Sequence, residues 1–544
     1  MTTPVRPAPS KAADTDIVIV GGGHNGLVCA AYLAKAGLGV TVLERRGVLG
    51  GAAVTEEFHP GFRNSVAAYT VSLLNPKVID DLDLHRHGLK IVERRIGNFL
   101  PLEDGYLLAG PDLTRAEVAK FSRRDAERLG EYETRLETIA DTLRRLVLET
   151  PPNLREGSWA GALPELIKTA SLGGRLGNLS MTAKRDLLDL FSKSAGDWLD
   201  GWFESDPVKA LFGFDSIVGN FASPYTPGSA YVLLHHLFGE VNGKKGVWGH
   251  AVGGMGAITQ AMAAACRERG VDLRTHAPVR EVIAERGRAC GVVLESGETV
   301  RARAVVSNLN PRLLFEHMVD PGLLPADFRE RIAHYRCASG TFRMNLALAE
   351  LPRFTCLPEP GDHLTAGIVM APSLAYMDRA YLDARRDGWS REPIIEMLIP
   401  STLDDTLAPP GRHVASLFCQ HVAPVLPDGR DWDDYRDTVA DLMIGAVDRW
   451  APGFKASVMG RQALSPKDLE RTFGLVGGDI FHGALSLDQL FSARPVLGHA
   501  DHRSPLQRLY QCGAGTHPGG GVTGAPGHNA AREILRDFGR RMAR

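Results

Sequence analysis

The chain has no apolar stretch approaching the ~20 residues a membrane helix needs, although 44% of its 544 residues are apolar. It has no surplus of charge: 62 basic side chains meet 64 acidic ones, a formal net of −2. That balance excludes nucleic acid as a principal partner. No C-x-x-C exists, and the seven cysteines are odd in number and never closer than nineteen residues. This rules out a dithiol redox motif and fits free thiols in a reducing cytoplasm. Lysine is scarce, 13 of the 62 basic residues, which suits a GC-rich genome rather than any chemistry. The first residues, MTTPVRPAPSKAADTD, lack both the apolar core of a signal peptide and the basic helix of a transit peptide. Residues 1–13 read as a disordered lead-in.

What the chain does have is glycine, 59 residues, and in an ordered place. After the β-branched run Ile17–Val20 comes Gly21-Gly22-Gly23-His24-Asn25-Gly26, a G-x-G-x-x-G. The first glycine permits a sharp turn, the second a close approach of backbone N–H groups to a pyrophosphate, and the third close packing of the following helix on the sheet. Leu27 to Ala36 suit that helix, whose N-terminus turns its positive end to the phosphates. Gly37 suits its C-terminal cap, and GVTVL (Gly39–Leu43) reads as the second parallel strand. Glu44 closes that strand eighteen residues after Gly26, where a carboxylate can accept from a ribose diol. Arg45 beside it could instead serve a 2′-phosphate, so this signature leaves FAD and NAD(P) both open.

Two further stretches point to flavin. Gly50-Gly51-Ala52-Ala53 offers bare backbone six residues beyond Glu44, and Gly513-Ala514-Gly515-Thr516-His517-Pro518-Gly519-Gly520-Gly521-Val522 stands near the other end. The runs ERRGVLGGAAVTEEFHPGF (Glu44–Phe62) and GAGTHPGGGVTGAPGHNAA (Gly513–Ala531) resemble the phytoene desaturase-like flavoproteins, and the resemblance extends from about Asp14 to the end. It implies a tightly bound FAD, an α/β fold of Rossmann-type FAD domain with a mixed α+β substrate domain as in amine oxidases, and redox chemistry on an apolar substrate. It also implies that the valine of APVREV, Val279, lays its backbone against the adenine, and that Gly515, Thr516, Gly521 and Val522 border the cofactor.

At this length two domains are expected. The nucleotide domain is expected to be discontinuous, over 14–80, 245–310 and 480–544, with 81–244 and 311–479 forming the substrate domain. Apolar residues three or four apart from Leu129 to Leu146 predict an amphipathic helix ending before Pro151. The aromatic-rich stretch 159–239 reads either as a helical domain with its own core or as an apolar substrate tunnel with a membrane-facing mouth. The glycines of GGMG (253–256) follow no predicted strand and are not counted as a second nucleotide motif. LYQCGAGTHPGGG, then GHNAAREIL, reads strand, glycine turn, helix, which brings another helix N-terminus toward the flavin.

A polyprenoid substrate offers no polar handle, so few catalytic side chains are demanded. His517 and His482 are the candidates for positioning or proton transfer. His24 is expected to contribute backbone, Arg63 and Tyr69 to pack or be solvated, with the border of the cavity as their alternative place, and His235-His236 to diverge too far for a shared metal. No G-x-S-x-G, Walker loop or H-E-x-x-H occurs. Nor does a second G-x-G-x-x-G stand directly between a strand and a helix to take NAD(P)H, so oxygen or a quinone is expected to reoxidise the flavin. The expected activity is an FAD-dependent dehydrogenase, desaturase or isomerase acting on C–C bonds. A flavin amine oxidase and a flavin-bearing interaction protein of vestigial activity are the alternatives. Cytoplasmic location is expected, with peripheral membrane contact left open because an amphipathic patch needs no long apolar run.

Overall fold

The computed structural model describes residues 14–110, 112–153 and 159–542; the lead-in 1–13 lies outside them. Strand β1 (Thr15–Val20) sits at the centre of a seven-stranded sheet. Helix α1 (His24–Lys35) returns the chain to β2 (Val40–Leu43), parallel to β1. Asp272–Arg274 extends the parallel order on the far side of β2. On the other side of β1 runs Thr299–Ser307, a strand shared by two arrangements. Its first half pairs antiparallel with Arg288–Leu294, which pairs back to Val279–Glu285, and its last residues pair parallel with Leu509–Gln511. β1 and β2 are buried along their length except at Thr15 and Asp16, as a parallel sheet covered on both faces requires. Their carboxyl ends open at Gly21, Glu44 and Asn308, where ligands bind in folds of this kind.

The second sheet also has seven strands, in the order Val458–Leu464, Phe342–Leu348, His413–Val422, Trp389–Leu398, Gly367–Met370, Asn98–Leu102, Gly105–Ala109. Two of these come from the 81–244 stretch and five from 311–479, so the two stretches share one sheet. The helix expected around Leu129–Leu146 runs Arg123–Val147 and buries Leu129, Tyr132, Leu136, Ile139 and Leu143.

Three features depart from the expectation. The core under β1 also takes Leu82, Leu84, Leu89 and Val241, because Ile91–Glu93 pairs with Gly249–Ala251. Residues around Phe481 to Leu490 pack on Tyr231 and Val232 rather than on the first sheet. And GGMG does follow a strand, the short Gly249–Ala251, but one outside the nucleotide sheet. Gly256 N–H donates to Thr55 Oγ1 at 2.9 Å and Met255 N–H to Ser65 Oγ at 2.9 Å, so this turn serves packing. Among the described residues no helix is long and apolar enough to cross a membrane.

Candidate functional site

The glycine turn after β1 is built against three neighbours. Gly21 has φ +95°, a conformation that favours glycine. A Cβ on Gly23 would lie 2.7 Å from Asn308 Nδ2, and one on Gly26 would lie 2.4 Å from the Gly21 carbonyl oxygen. The second glycine pair is docked onto the first: Gly50 N–H donates to the Gly22 carbonyl at 2.9 Å, and Gly23 and Gly50 form a parallel bridge. Gly51, at φ +59°, brings its backbone so near that a Cβ would meet Gly23 Cα at 3.1 Å.

These turns form one wall of a groove. Gly21, Gly23, His24, Asn25, Glu44, Arg45, Gly51 and Ala52 line it from the front of the chain, Val279 and Glu295 at one end, and His482 and Ala514 at the other. Glu44 is buried and accepts from Gly22 N–H at 2.8 Å and Arg46 N–H at 2.9 Å. Its carboxylate has further lone pairs for a ribose. Arg45 donates to the carbonyls of Arg471 and Thr472 at 3.1 and 2.8 Å, which ties its guanidinium to protein.

At His24, Ala52, Leu475, His482 and Ala514 the groove meets a second cavity. Ala53, Tyr69, Trp248, Phe481, Gly521 and Val522 line this space, with no Lys, Arg, Asp or Glu among its lining residues. Front and back glycine segments therefore border the same hollow, and His24 lies against the Gly521 backbone. Burial pushes His24 down to about 4, and it does the same to His482 with His24 and Arg494 adding to the effect. Both rings are neutral at physiological pH. His24 Nε2, Asn25 Oδ1 and His482 Nδ1 are buried without a hydrogen-bond partner among the described residues.

His24 thus presents an imidazole to the site, where only backbone was expected. His517 does the reverse. Its Nε2 donates to the Leu146 carbonyl at 3.0 Å, its ring lies 5.5 Å from Phe491, and it borders a separate cleft between helices. His517 was expected beside the ring, but neither groove nor cavity is lined by it: the Leu146 carbonyl, at the end of helix Arg123–Val147, holds the buried ring at the other cleft. Gly515 and Thr516 also turn inward to protein, the former against Pro311 and the latter donating to Gly513 O at 2.8 Å.

Sequence reasoning missed Asn308–Asn310, Pro278 and Thr472–Leu475 in the groove, and His236 and Trp248 in the cavity. The strand ending VVSN was the one signal available for Asn308. Tyr69 lines the cavity, the alternative of its two expected places; Arg63 is exposed on the strand Phe62–Ser65. Behind the cavity wall Tyr69 Oη donates to Glu396 at 2.6 Å, and Arg343 stacks 4.4 Å from the Tyr69 ring centroid.

Bare backbone at Gly21, Gly23 and Gly51, an acid at the end of β2, a helix N-terminus, and unpartnered polar atoms at the junction together fit a dinucleotide carrying a ring system. Comparison with known proteins gives the same answer. A family described as flavin-containing amine oxidoreductase matches residues 26–342. Pyridine nucleotide-disulfide oxidoreductase domain-containing protein 2 of Rattus norvegicus is 42% identical over 96% of this chain and 94% of its own. Phytoene desaturase (lycopene-forming) of Pseudescherichia vulneris is 25% identical over 93% and 96%. Cyclohexylamine oxidase from Brevibacterium oxydans shares the fold, with a TM-score of 0.57 at 17% identity over 97% and 100%. The chain belongs to the flavin-containing amine oxidoreductase family, and is an FAD-dependent oxidoreductase.

Proposed function

We propose that this oxidoreductase dehydrogenates C–C bonds of an apolar, isoprenoid-like substrate held in the cavity beyond the groove. The observation that carries this reading is the lining of that cavity: Ala53, Val71, Leu73, Met255, Ile258, Ile480 and Val522, with no ionic side chain. An apolar wall binds hydrocarbon and excludes water. A protonated amine would lose its hydration there with no carboxylate lining the space to replace it. The identity to a phytoene desaturase supports the same choice.

Bound FAD supplies the two-electron acceptor. The groove residues Gly21–Gly26, Glu44, Gly51, Ala52 and Val279 would hold it, and His24 and His482 stand where groove and cavity meet. Each imidazole is neutral and can orient a donor or take up a proton, at Nε2 and Nδ1 respectively. Tyr69 commits its hydroxyl proton to Glu396, so it turns its ring rather than its hydrogen to the substrate. Oxygen or a quinone would complete the cycle, since the other G-x-G-x-x-G of the chain, Gly519–Gly524, borders this same cavity through Gly521 rather than a separate nicotinamide groove.

The test is anaerobic mixing of the FAD-loaded protein with an acyclic isoprenoid polyene in detergent, and separately with a panel of primary amines and with NADPH. Bleaching of the flavin by the polyene alone is expected. Bleaching by an amine, with release of the aldehyde, would move the assignment to amine oxidation; rapid bleaching by NADPH would overturn the acceptor reading.

A further inference from the structure

Arg494 is among the largest fully buried side chains of the described residues, with 0% exposure. Its guanidinium donates to the carbonyls of Ala514 at 2.8 Å, Phe481 at 2.9 Å and Gln489 at 3.1 Å, and more weakly to Gly483 and Ala484. All of these acceptors are neutral. No carboxylate hydrogen-bonds it among the described residues, which is unusual, because a buried cation normally keeps an ionic partner. Two of its acceptors, Phe481 and Ala514, belong to residues that line the flavin cavity, as does His482, next to Phe481 in the chain.

The nearby acid is used elsewhere. Asp479, also fully buried, accepts from the backbone N–H groups of Phe481 at 2.8 Å, Ala338 at 2.9 Å and Gly483 at 3.1 Å. Asp479 thus holds the N–H groups of the turn and Arg494 its carbonyls. Burial pushes the Asp479 carboxyl up to about 6, which leaves it mostly ionised at neutral pH, but its oxygens are bonded to those N–H groups and not to the guanidinium.

We propose that Arg494 is the fixed positive charge of the flavin site: it acts through the carbonyls it holds, keeps the His482 turn in place, and stabilises negative charge on the bound flavin ring. A charge held in a dry interior with no carboxylate bonded to it acts over several ångströms with little screening. Arg494 is a positioning and electrostatic residue, since it does not itself line the groove.

The experiment needs no substrate. The FAD-loaded protein is titrated with sulfite, whose flavin adduct places negative charge on the ring, and the flavin midpoint potential is measured. Arg494→Met is expected to weaken sulfite binding by roughly tenfold or more and lower the potential. Arg494→Lys should restore most of both. Asp479→Asn should move both readings in the opposite direction, tightening sulfite binding. A merely structural brace would shift Arg494→Met and Asp479→Asn the same way, and that result, or unchanged values in Arg494→Met, overturns the proposal. Should Arg494→Met fail to retain FAD, Asp479→Asn decides: tighter sulfite binding supports the assignment, and unchanged or weaker binding rejects it.

Discussion

Glu44 shows how much one side chain carries in the groove. Its two oxygens satisfy the Gly22 and Arg46 N–H groups, so Glu44→Ala leaves two partly buried donors without acceptors, at a cost of about 1–3 kcal/mol each. The expected outcome is a lower melting temperature and loss of FAD on gel filtration, with Glu44→Gln intermediate. Unchanged retention in Glu44→Ala would contradict the assignment. The two histidines proposed from sequence separate in the same way. His482→Ala should perturb the flavin absorption spectrum, because the ring borders groove and cavity. His517→Ala should leave that spectrum alone and lower stability, because the ring is bonded to the end of helix Arg123–Val147. A spectral change confined to His517→Ala would reverse this placement.

At the scale of elements, the site depends on where α1 meets helix Ala525–Asp537. Gly527 lies so close to α1 that a Cβ there would come within 2.2 Å of the Asn25 carbonyl oxygen, and Tyr32 packs edge-on to His528 at 5.2 Å. Gly527→Ala must push the helices apart, at a cost of about 1–3 kcal/mol. Since α1 begins at the glycine turn, weaker FAD retention should accompany the lower melting temperature; a drop in one without the other would show that the helix crossing and the cofactor turn are independent. This level also shows what the sequence could reveal. β1, α1, β2 and helix Arg123–Val147 were legible because glycine punctuation and a 3.6-residue apolar period are local signals. The pairing of Ile91–Glu93 with Gly249–Ala251 was not, because it joins segments about 160 residues apart. The direction of His517 was equally hidden, being set by a carbonyl 371 residues away. Asn308–Asn310 reach the groove by sheet order, which no local pattern records.

At the scale of the whole molecule, buried histidines govern the response to acid. Burial holds His24, His236, His482, His502 and His517 near 4, and His235 and His421 near 3. Unfolded, each titrates at about 6.5, so the unfolded chain binds more protons as pH falls below that value and stability drops until the folded values are reached. Each group contributes up to about 1.4 kcal/mol per pH unit within its window. Burial raises Asp215 to about 7, Asp479 to about 6, and Glu396 in the same direction. Raised carboxyls act oppositely, losing stability as pH rises, but three such groups oppose seven histidines. The melting temperature should therefore fall as pH drops from about 7 to about 5; a flat or rising profile would show that these rings are not neutral in the folded state.

All of this rests on the glycine turns at Gly21–Gly26, Gly50–Gly51 and Gly513–Gly521 enclosing a single prosthetic group. The direct measurement is the flavin content of the purified chain, by absorbance and by release on denaturation, before and after incubation with FAD. The account predicts a yellow protein with one FAD per chain, and Gly23→Ala, whose Cβ would strike Asn308, below that stoichiometry. A colourless chain that takes up no flavin, or a Gly23→Ala variant loaded as fully as the parent, would contradict it.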